Sequence, residues 1–238
     1  MLSYLLSLGY ILEIFLVKNK KMYYNRPMRK IDYIIFVSLI VVFAILTGLV
    51  VLFPQIAEFE WKIIKAVQGF MSFASVYIPR FFSGFGYQPL VAITFLIGAG
   101  ILVLKREYIT LLCFGTMSYS VFHVSELVKN LIGRPRPPVD LQVLLHTNPS
   151  FPSGHSLVNA CVFTFLIYMF MKYVQNKALK ISLVTLCVLW ILFIGFSRIW
   201  LGVHHPTDVL AGYVFGVFFA YIFITVDRIW NAAMKKPY

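Results

Sequence analysis

The sequence predicts an all-α fold: an integral membrane bundle of six transmembrane helices with an additional interfacial helix. Three observations predict it. Of 238 residues, 60% are hydrophobic and 13% charged, about half the charged fraction of an ordinary soluble domain. Several apolar runs approach or exceed the roughly 18–20 residues that cross a bilayer. Lysines and arginines gather in the short gaps between those runs, and basic content alternates from gap to gap as membrane faces alternate. One bundle is expected rather than several domains. An apolar segment and basic linker occupy 1–30, the six-helix domain 31–230 and a short tail 231–238.

The first span is 33–53, "YIIFVSLIVVFAILTGLVVLF". The second covers about 89–104, the third 108–128, the fourth 156–171, the fifth 181–200 and the sixth 207–226. Each can satisfy its backbone in lipid only as a helix. Residues 2–17, "LSYLLSLGYILEIFLV", are apolar but short and include Glu13. The basic run that follows is on the wrong side for a cleavable signal peptide. A membrane-surface helix, a short seventh span and an extension before an alternative start at Met22 all fit, the first and third best. Within 54–86, Ile63, Ile64, Val67, Phe70 and Ala74 share one helical face, with Lys62, Lys65 and Gln68 elsewhere. That pattern predicts a helix lying in the membrane interface. In the sixth span, Gly212 and Gly216 predict close helix packing.

Fourteen of the 21 lysines and arginines fall in the gaps on one side of the membrane. That side is expected to be cytoplasmic. The other gaps then face the cell exterior or the periplasm, in a multi-pass protein of the cell membrane. The net charge of +12 is accounted for largely by this topology. No basic stripe with interleaved aromatics runs along the chain, so nucleic acid is not expected as a partner. Cys113, Cys161 and Cys187 lie inside apolar runs without metal-ligand spacing and read as buried hydrophobes.

Three outward stretches hold unusual polar chemistry. "KNLIGRPRP" spans 129–137, "PSGH" 152–155 and "SRIWLGVHHPTD" 197–208. Together they bring Lys129, Arg134, Arg136, His155, Arg198, His204, His205 and Asp208 to one membrane face. Cations with histidines and one carboxylate suit a phosphate dianion. Pro152, Ser153 and Gly154 turn the chain into the fourth helix, where free N–H groups bind anions and glycine allows close approach. His155 sits in that first turn. Pro206 suits the first position of the sixth helix. Asp208, two residues on, is placed to reach back to His204. An aspartate on one ring nitrogen fixes the tautomer and leaves the other nitrogen nucleophilic.

These stretches resemble the three-part signature of the type 2 phosphatidic acid phosphatase superfamily: K-x6-R-P, P-S-G-H and S-R-x5-H-x3-D. Here they read Lys129 to Arg136-Pro137, Pro152 to His155, and Ser197-Arg198 to His204 to Asp208. Order and every spacing agree. The resemblance implies a lipid phosphatase or diphosphatase. His204 would be the nucleophile that forms a phosphohistidine, Asp208 its orienter and His155 the general acid. Lys129, Arg136, Arg198, Ser153 and Gly154 would hold the phosphate, with Ser197 in support. It implies no metal or cofactor, and the sequence offers no cluster of carboxylates for magnesium. The expected partners are the bilayer and a lipid phosphate: undecaprenyl pyrophosphate, phosphatidylglycerol phosphate or phosphatidic acid.

Arg134 and His205 stand outside the fixed motif positions and are expected to be supporting at most. Glu126, three residues before Lys129, is placed to pair with it. His123 is expected to be structural, and His146 lies in a loop suited to shaping headgroup recognition. Two other readings use the same residues. A vanadium-dependent haloperoxidase has a similar pocket, but its kind is soluble. A non-catalytic lipid-binding or transport protein would not need an intact nucleophile, orienter and acid.

Overall fold

The computed structural model describes residues 30–70, 77–85 and 88–234, and every regular element in them is helical. α1 is Lys30–Leu52, α2 Ile56–Phe70, α3 Tyr77–Phe85 and α4 Gln88–Leu104. α5 is Tyr108–Ile132, α6 Gly154–Tyr173, α7 Lys177–Trp200 and α8 Pro206–Met234, with a single 3-10 turn at Val139–Leu141 between α5 and α6. The segment 2–17 and Ala74 lie outside the described residues.

α1, α5, α6, α7 and α8 are long and apolar enough to cross a membrane. α4 has 17 residues, about 26 Å at 1.5 Å per residue, just under the thickness of a hydrocarbon core. Its apolar sequence and its packing against α5 make it the sixth helix of the bundle. The surface of these helices is apolar: Ile34, Ile45, Leu96, Leu131, Leu186 and Leu210 are all exposed. Exposed aliphatic side chains of this number suit lipid, where they need no burial.

α6 is the central stave. It packs most extensively against α8, then against α7 and α5, and most of its residues are buried. The contact with α8 is made close by the expected glycine pair. A β-carbon on Gly216 would stand 2.3 Å from Leu157 O, and one on Gly212 2.8 Å from Ser153 O. Phe114 and Phe165 stack in the core between α5 and α6, their ring centroids 5.3 Å apart.

The helix ends differ from the sequence expectations in ways that shape the site. α6 begins at Gly154, not 156, because Ser153 caps it by accepting from Ser156 N at 3.5 Å. Gly154 and His155 are therefore already helical. α5 runs on to Ile132, so Lys129 stands in its last turn. Gly133 then ends it with φ +65, its N–H reaching Lys129 O at 2.8 Å. α7 starts at Lys177, capped by Asn176, whose side chain accepts from Leu179 N at 3.0 Å.

Two short helices, α2 and α3, occupy the segment expected to hold one interfacial helix. Ile64 is buried and Ile63 and Val67 are half-buried, as the apolar stripe requires, but Phe70 is 78% exposed. Gln68, placed off the stripe by its polarity, faces the protein. Its Nε2 donates to Leu141 O at 2.9 Å and to Trp200 O at 3.1 Å. Glu60 is also buried. The reason is that α2 covers the polar end of the bundle, where carbonyls and charges need partners, and not an apolar wall.

The opposite end is fastened by buried polar groups. Asp227 of α8 accepts from Thr110 of α5 at 2.6 Å, from Lys172 of α6 at 2.9 Å and from Tyr168 of α6. Arg228 meets Asp32 of α1 at 3.0 and 3.3 Å. α1, α5, α6 and α8 are thereby tied together where the chain is furthest from the three motifs.

Candidate active site

Four segments meet at the motif end: the C-terminus of α5, the loop 133–153, the N-terminus of α6, and the α7–α8 turn. Ser153 N donates to Asp208 O at 2.9 Å, which joins the second motif to the third directly. Lys129 is buried in the last turn of α5 and pairs with Glu126 at 2.6 Å, as its spacing predicts. A β-carbon at Gly154 would lie 3.3 Å from both Lys129 Nζ and Ser125 Oγ. Glycine there lets the ammonium come right up to the helix N-terminus. Ser125 is fully buried and its hydroxyl finds no protein partner. The sequence offered no motif for it, although it lies one helical turn before Lys129.

His204 is 2% exposed. Its Nε2 lies 3.3 Å from Arg136 Nη1, and its Nδ1 lies 3.5 Å from Asp208 Oδ2. A guanidinium only donates, so Nε2 keeps its lone pair and the proton belongs on Nδ1. The distance to Asp208 is long for a hydrogen bond, and Nδ1 has no other partner. The expected orienting bond is thus an electrostatic facing at this distance. Burial is the main cause that lowers the His204 pKa to about 3. Asp208 opposes that shift, while Arg136 and Arg198 add to it. The ring is therefore neutral at physiological pH.

Arg136 is positioned by carbonyls. Nη1 donates to Val203 O at 2.6 Å, and Nε and Nη2 donate to Asn148 O and Oδ1, both at 2.8 Å. Burial lowers its pKa to about 10, so it stays a cation at neutral pH. Arg198 is 2% exposed and its Nη2 lies 3.5 Å from His146 Nε2. His146 is thereby brought to the cations from the loop 133–153. Its pKa falls to about 4, through burial first and then through Arg136, Arg198 and Lys129. Ser197 turns its hydroxyl to Ile194 O at 2.6 Å and so belongs to the helix rather than to the cradle. His155 is half-buried in the first turn of α6, and its carbonyl accepts from Asn159 Nδ2 at 2.9 Å. His123 stays away from this cluster, against Tyr119.

Asp208 is held on both oxygens. Oδ1 accepts from Arg134 Nη1 at 2.5 Å, and Oδ2 accepts from His205 N at 2.9 Å, with His205 Nδ1 at 3.3 Å. Arg134 and His205 are thus fully engaged with the aspartate, more closely than their places outside the motif suggested. Arg134 also meets Glu60 at 2.5 Å, and His205 Nε2 accepts from Trp61 Nε1 at 3.2 Å. Neither Glu60 nor Trp61 was singled out by sequence. The signal that would have found Glu60 is an acid on a helix that is otherwise membrane-apposed, in a chain with only nine Asp and Glu. Among the described residues, no three His, Cys, Asp or Glu side chains group as metal ligands.

This arrangement can hold a dianion against three cations and a helix N-terminus, beside a neutral imidazole whose Nε2 lone pair faces the Arg136 guanidinium. Comparison with known proteins points the same way. Phosphatidylglycerophosphatase B of Bacillus subtilis is 36% identical over 135 residues, which are 54% of this chain and 62% of that protein. Lipid A 1-phosphatase of Rhizobium etli is 31% identical over 106 residues, 41% of each chain. Glucose-6-phosphatase catalytic subunit 1 of Felis catus is 32% identical over 103 residues, 40% of this chain and 29% of that one. In each case less than two thirds of the relative's length is matched. The crystal structure of a transmembrane PAP2 type phosphatidylglycerolphosphate phosphatase from Bacillus subtilis superposes with a TM-score of 0.68 at 25% identity. That match covers 85% of this chain and 98% of the other. The family model of the PAP2 superfamily matches residues 107–231, a stretch that contains all three motifs. The chain is a multi-pass membrane protein and belongs to the PAP2 superfamily.

Proposed function

We propose that this protein is a metal-independent lipid phosphatase that works through a phosphohistidine, with its active site on the outward face of the cell membrane. The observation that carries this reading is the setting of His204. Its ring is neutral, with a lone pair on Nε2 beside a phosphate-binding guanidinium and an Nδ1 proton facing a buried aspartate. That is the state an imidazole needs to attack phosphorus.

The reaction follows from these roles. Lys129, Arg136 and Arg198, with Ser153 and the N–H groups at Gly154, hold the non-bridging phosphate oxygens and the charge that builds on them. His204 Nε2 forms a bond to phosphorus as the bond to the lipid oxygen breaks. His155 gives its proton to that leaving oxygen. Asp208 stabilises the positive charge that His204 acquires. Water then attacks the phosphohistidine, His155 takes a proton from it, and the P–N bond breaks to release inorganic phosphate. The proton count closes, and His204 returns neutral.

A lipid substrate is supported by the position of the site at the ends of membrane helices, where a headgroup meets the cradle while its tails stay in the bilayer. The likeness to phosphatidylglycerophosphatase B favours phosphatidylglycerol phosphate. The charge alternation that turns the site outward favours undecaprenyl pyrophosphate, and phosphatidic acid is the third candidate. The test is phosphate release from these three lipids in mixed micelles, with glucose 6-phosphate as a soluble comparison and His204→Ala as control. Release from at least one lipid, abolished in His204→Ala, is expected. Release from glucose 6-phosphate alone would overturn the lipid assignment, and full activity in His204→Ala would overturn the mechanism.

A further inference from the structure

An amphipathic helix at a membrane surface normally turns charge outward and apolar side chains inward. α2 does the reverse at one point: Glu60 is 2% exposed. Burying a carboxylate costs several kcal/mol before any partner is counted, and a buried ion pair is in general no net source of stability. The position therefore calls for a reason other than holding α2 in place.

The partners supply one. Glu60 Oε2 meets Arg134 Nη2 at 2.5 Å, and the other arm of the same guanidinium meets Asp208 Oδ1 at 2.5 Å. Glu60 Oε1 accepts from Thr207 N at 2.8 Å and Thr207 Oγ1 at 2.7 Å, in the residue just before Asp208. The next residue of α2 reaches the other side. Trp61 Nε1 donates to His205 Nε2 at 3.2 Å, while His205 Nδ1 faces Asp208 Oδ2 at 3.3 Å. An indole N–H can only donate, so it forces the His205 proton onto Nδ1, toward the aspartate. Two adjacent side chains of one helix thus govern what each oxygen of Asp208 meets.

We infer that Glu60 and Trp61 are positioning residues for catalysis, through which the interfacial helix α2 sets the orientation and charge of Asp208 behind His204. The electrostatic argument is specific. Arg134 shared between two carboxylates leaves one negative charge uncompensated in the cluster. Asp208 keeps enough of it to stabilise the cation that His204 becomes during phosphoryl transfer. Remove the Glu60 charge, and Arg134 neutralises Asp208 alone. Trp61 acts on geometry: without its N–H the His205 ring is free to take the other tautomer, which turns a lone pair at Asp208 Oδ2. Arg136 faces the opposite ring nitrogen of His204 and contacts neither Glu60 nor Trp61.

This inference rests on the phosphohistidine reading. The test uses the full chain in detergent with the best lipid of the panel, and compares Glu60→Gln and Trp61→Phe with wild type and His204→Ala. Glu60→Gln keeps the shape and removes the charge, while Trp61→Phe keeps a ring and removes one N–H. Both are expected to lower kcat by about 10²-fold, the size of effect produced by small misplacement of reacting groups, with KM within about twofold of wild type. Single-turnover labelling should show slower phosphohistidine formation. A role in stability alone would lower Tm and leave kcat of the folded protein unchanged, and that result would overturn the inference. Should Glu60→Gln fail to fold, Trp61→Phe decides by the same criteria. Activity retained in His204→Ala would instead remove the underlying mechanism, so the two failures are distinguishable.

Discussion

Arg136 Nη1 stands 3.3 Å from His204 Nε2, so the guanidinium proposed to hold phosphate and the proposed attacking atom are immediate neighbours. In the proposed reaction a phosphate on this guanidinium presents its phosphorus to the imidazole. Arg136→Lys keeps the charge and loses the fork that also reaches Val203 O and Asn148. A loss of about 10- to 100-fold in kcat/KM is expected, the value of one or two charged hydrogen bonds. Steady-state phosphate release measures it, and unchanged kcat/KM would deny Arg136 a part in binding phosphate.

The glycines divide into two kinds. Gly154→Ala pushes a methyl group to 3.3 Å from Lys129 Nζ, a flexible tip, so activity should fall while Tm changes little. Gly216→Ala pushes one to 2.3 Å from Leu157 O, a backbone atom that cannot yield cheaply. It should cost about 1–3 kcal/mol of stability. Thermal unfolding and activity, measured on the same two proteins, should separate in opposite directions.

Acid should weaken the fold before it reaches any carboxylate. His204 and His146 have pKa values lowered from 6.5 to about 3 and about 4, burial being the main cause in both. Between those values and 6.5 the unfolded chain binds protons that the folded chain does not. Stability is then complete above about pH 6.5 and declines as pH falls, by roughly one proton per histidine in the slope. His146→Gln should make the decline of Tm from pH 6.5 to 4.5 shallower. Parallel curves for the two proteins would show that His146 is not held neutral by its surroundings.

Phosphate release should continue in EDTA, because every role in the proposed reaction is filled by a side chain or a backbone N–H. Orthovanadate should inhibit at concentrations below those of inorganic phosphate, as a mimic of the five-coordinate transition state. A requirement for added magnesium would contradict the proposed chemistry.

Cys113, Cys161 and Cys187 are buried, so a thiol placed at exposed Thr147 should be the reactive one among the described residues. In Thr147→Cys a membrane-impermeant maleimide is expected to label intact cells. Labelling only after the cells are opened would put the site on the cytoplasmic face.

The spans were legible because lipid leaves little choice: a backbone in hydrocarbon must be helical, and its side chains must be apolar. The candidate site was legible because phosphate chemistry restricts residue type and spacing, and the three motifs that carry Lys129, Arg136, Ser153, Arg198 and His204 lie at one end of the bundle. Contacts made across the fold were not legible. Nothing near Glu60 in the chain announces Arg134, its partner 74 residues away. Hydrophobic periodicity reads only apolar patterning, so it missed Gln68, which is half-buried and donates two hydrogen bonds to the bundle. The apolar run places the start of α6 near 156, and the Ser153 cap carries the helix back to Gly154, with His155 in its first turn as expected. The sequence expected His205 to be supporting at most, and only the contacts with Trp61 and Asp208 show what it supports.

α6 is surrounded by protein and therefore carries polar groups that lipid would not tolerate, among them Ser156, Asn159 and Tyr168. Along with α5 it is the least apolar of the five long helices, whereas α1 and α7 are the most apolar. The two helices that deliver Lys129 and His155 are thus the ones with the weakest claim of their own to a place in the bilayer. Their entry into the membrane depends on company, and the glycine face of α8 is the surface that receives α6. The candidate site is complete only where the bundle closes around its two least apolar long helices.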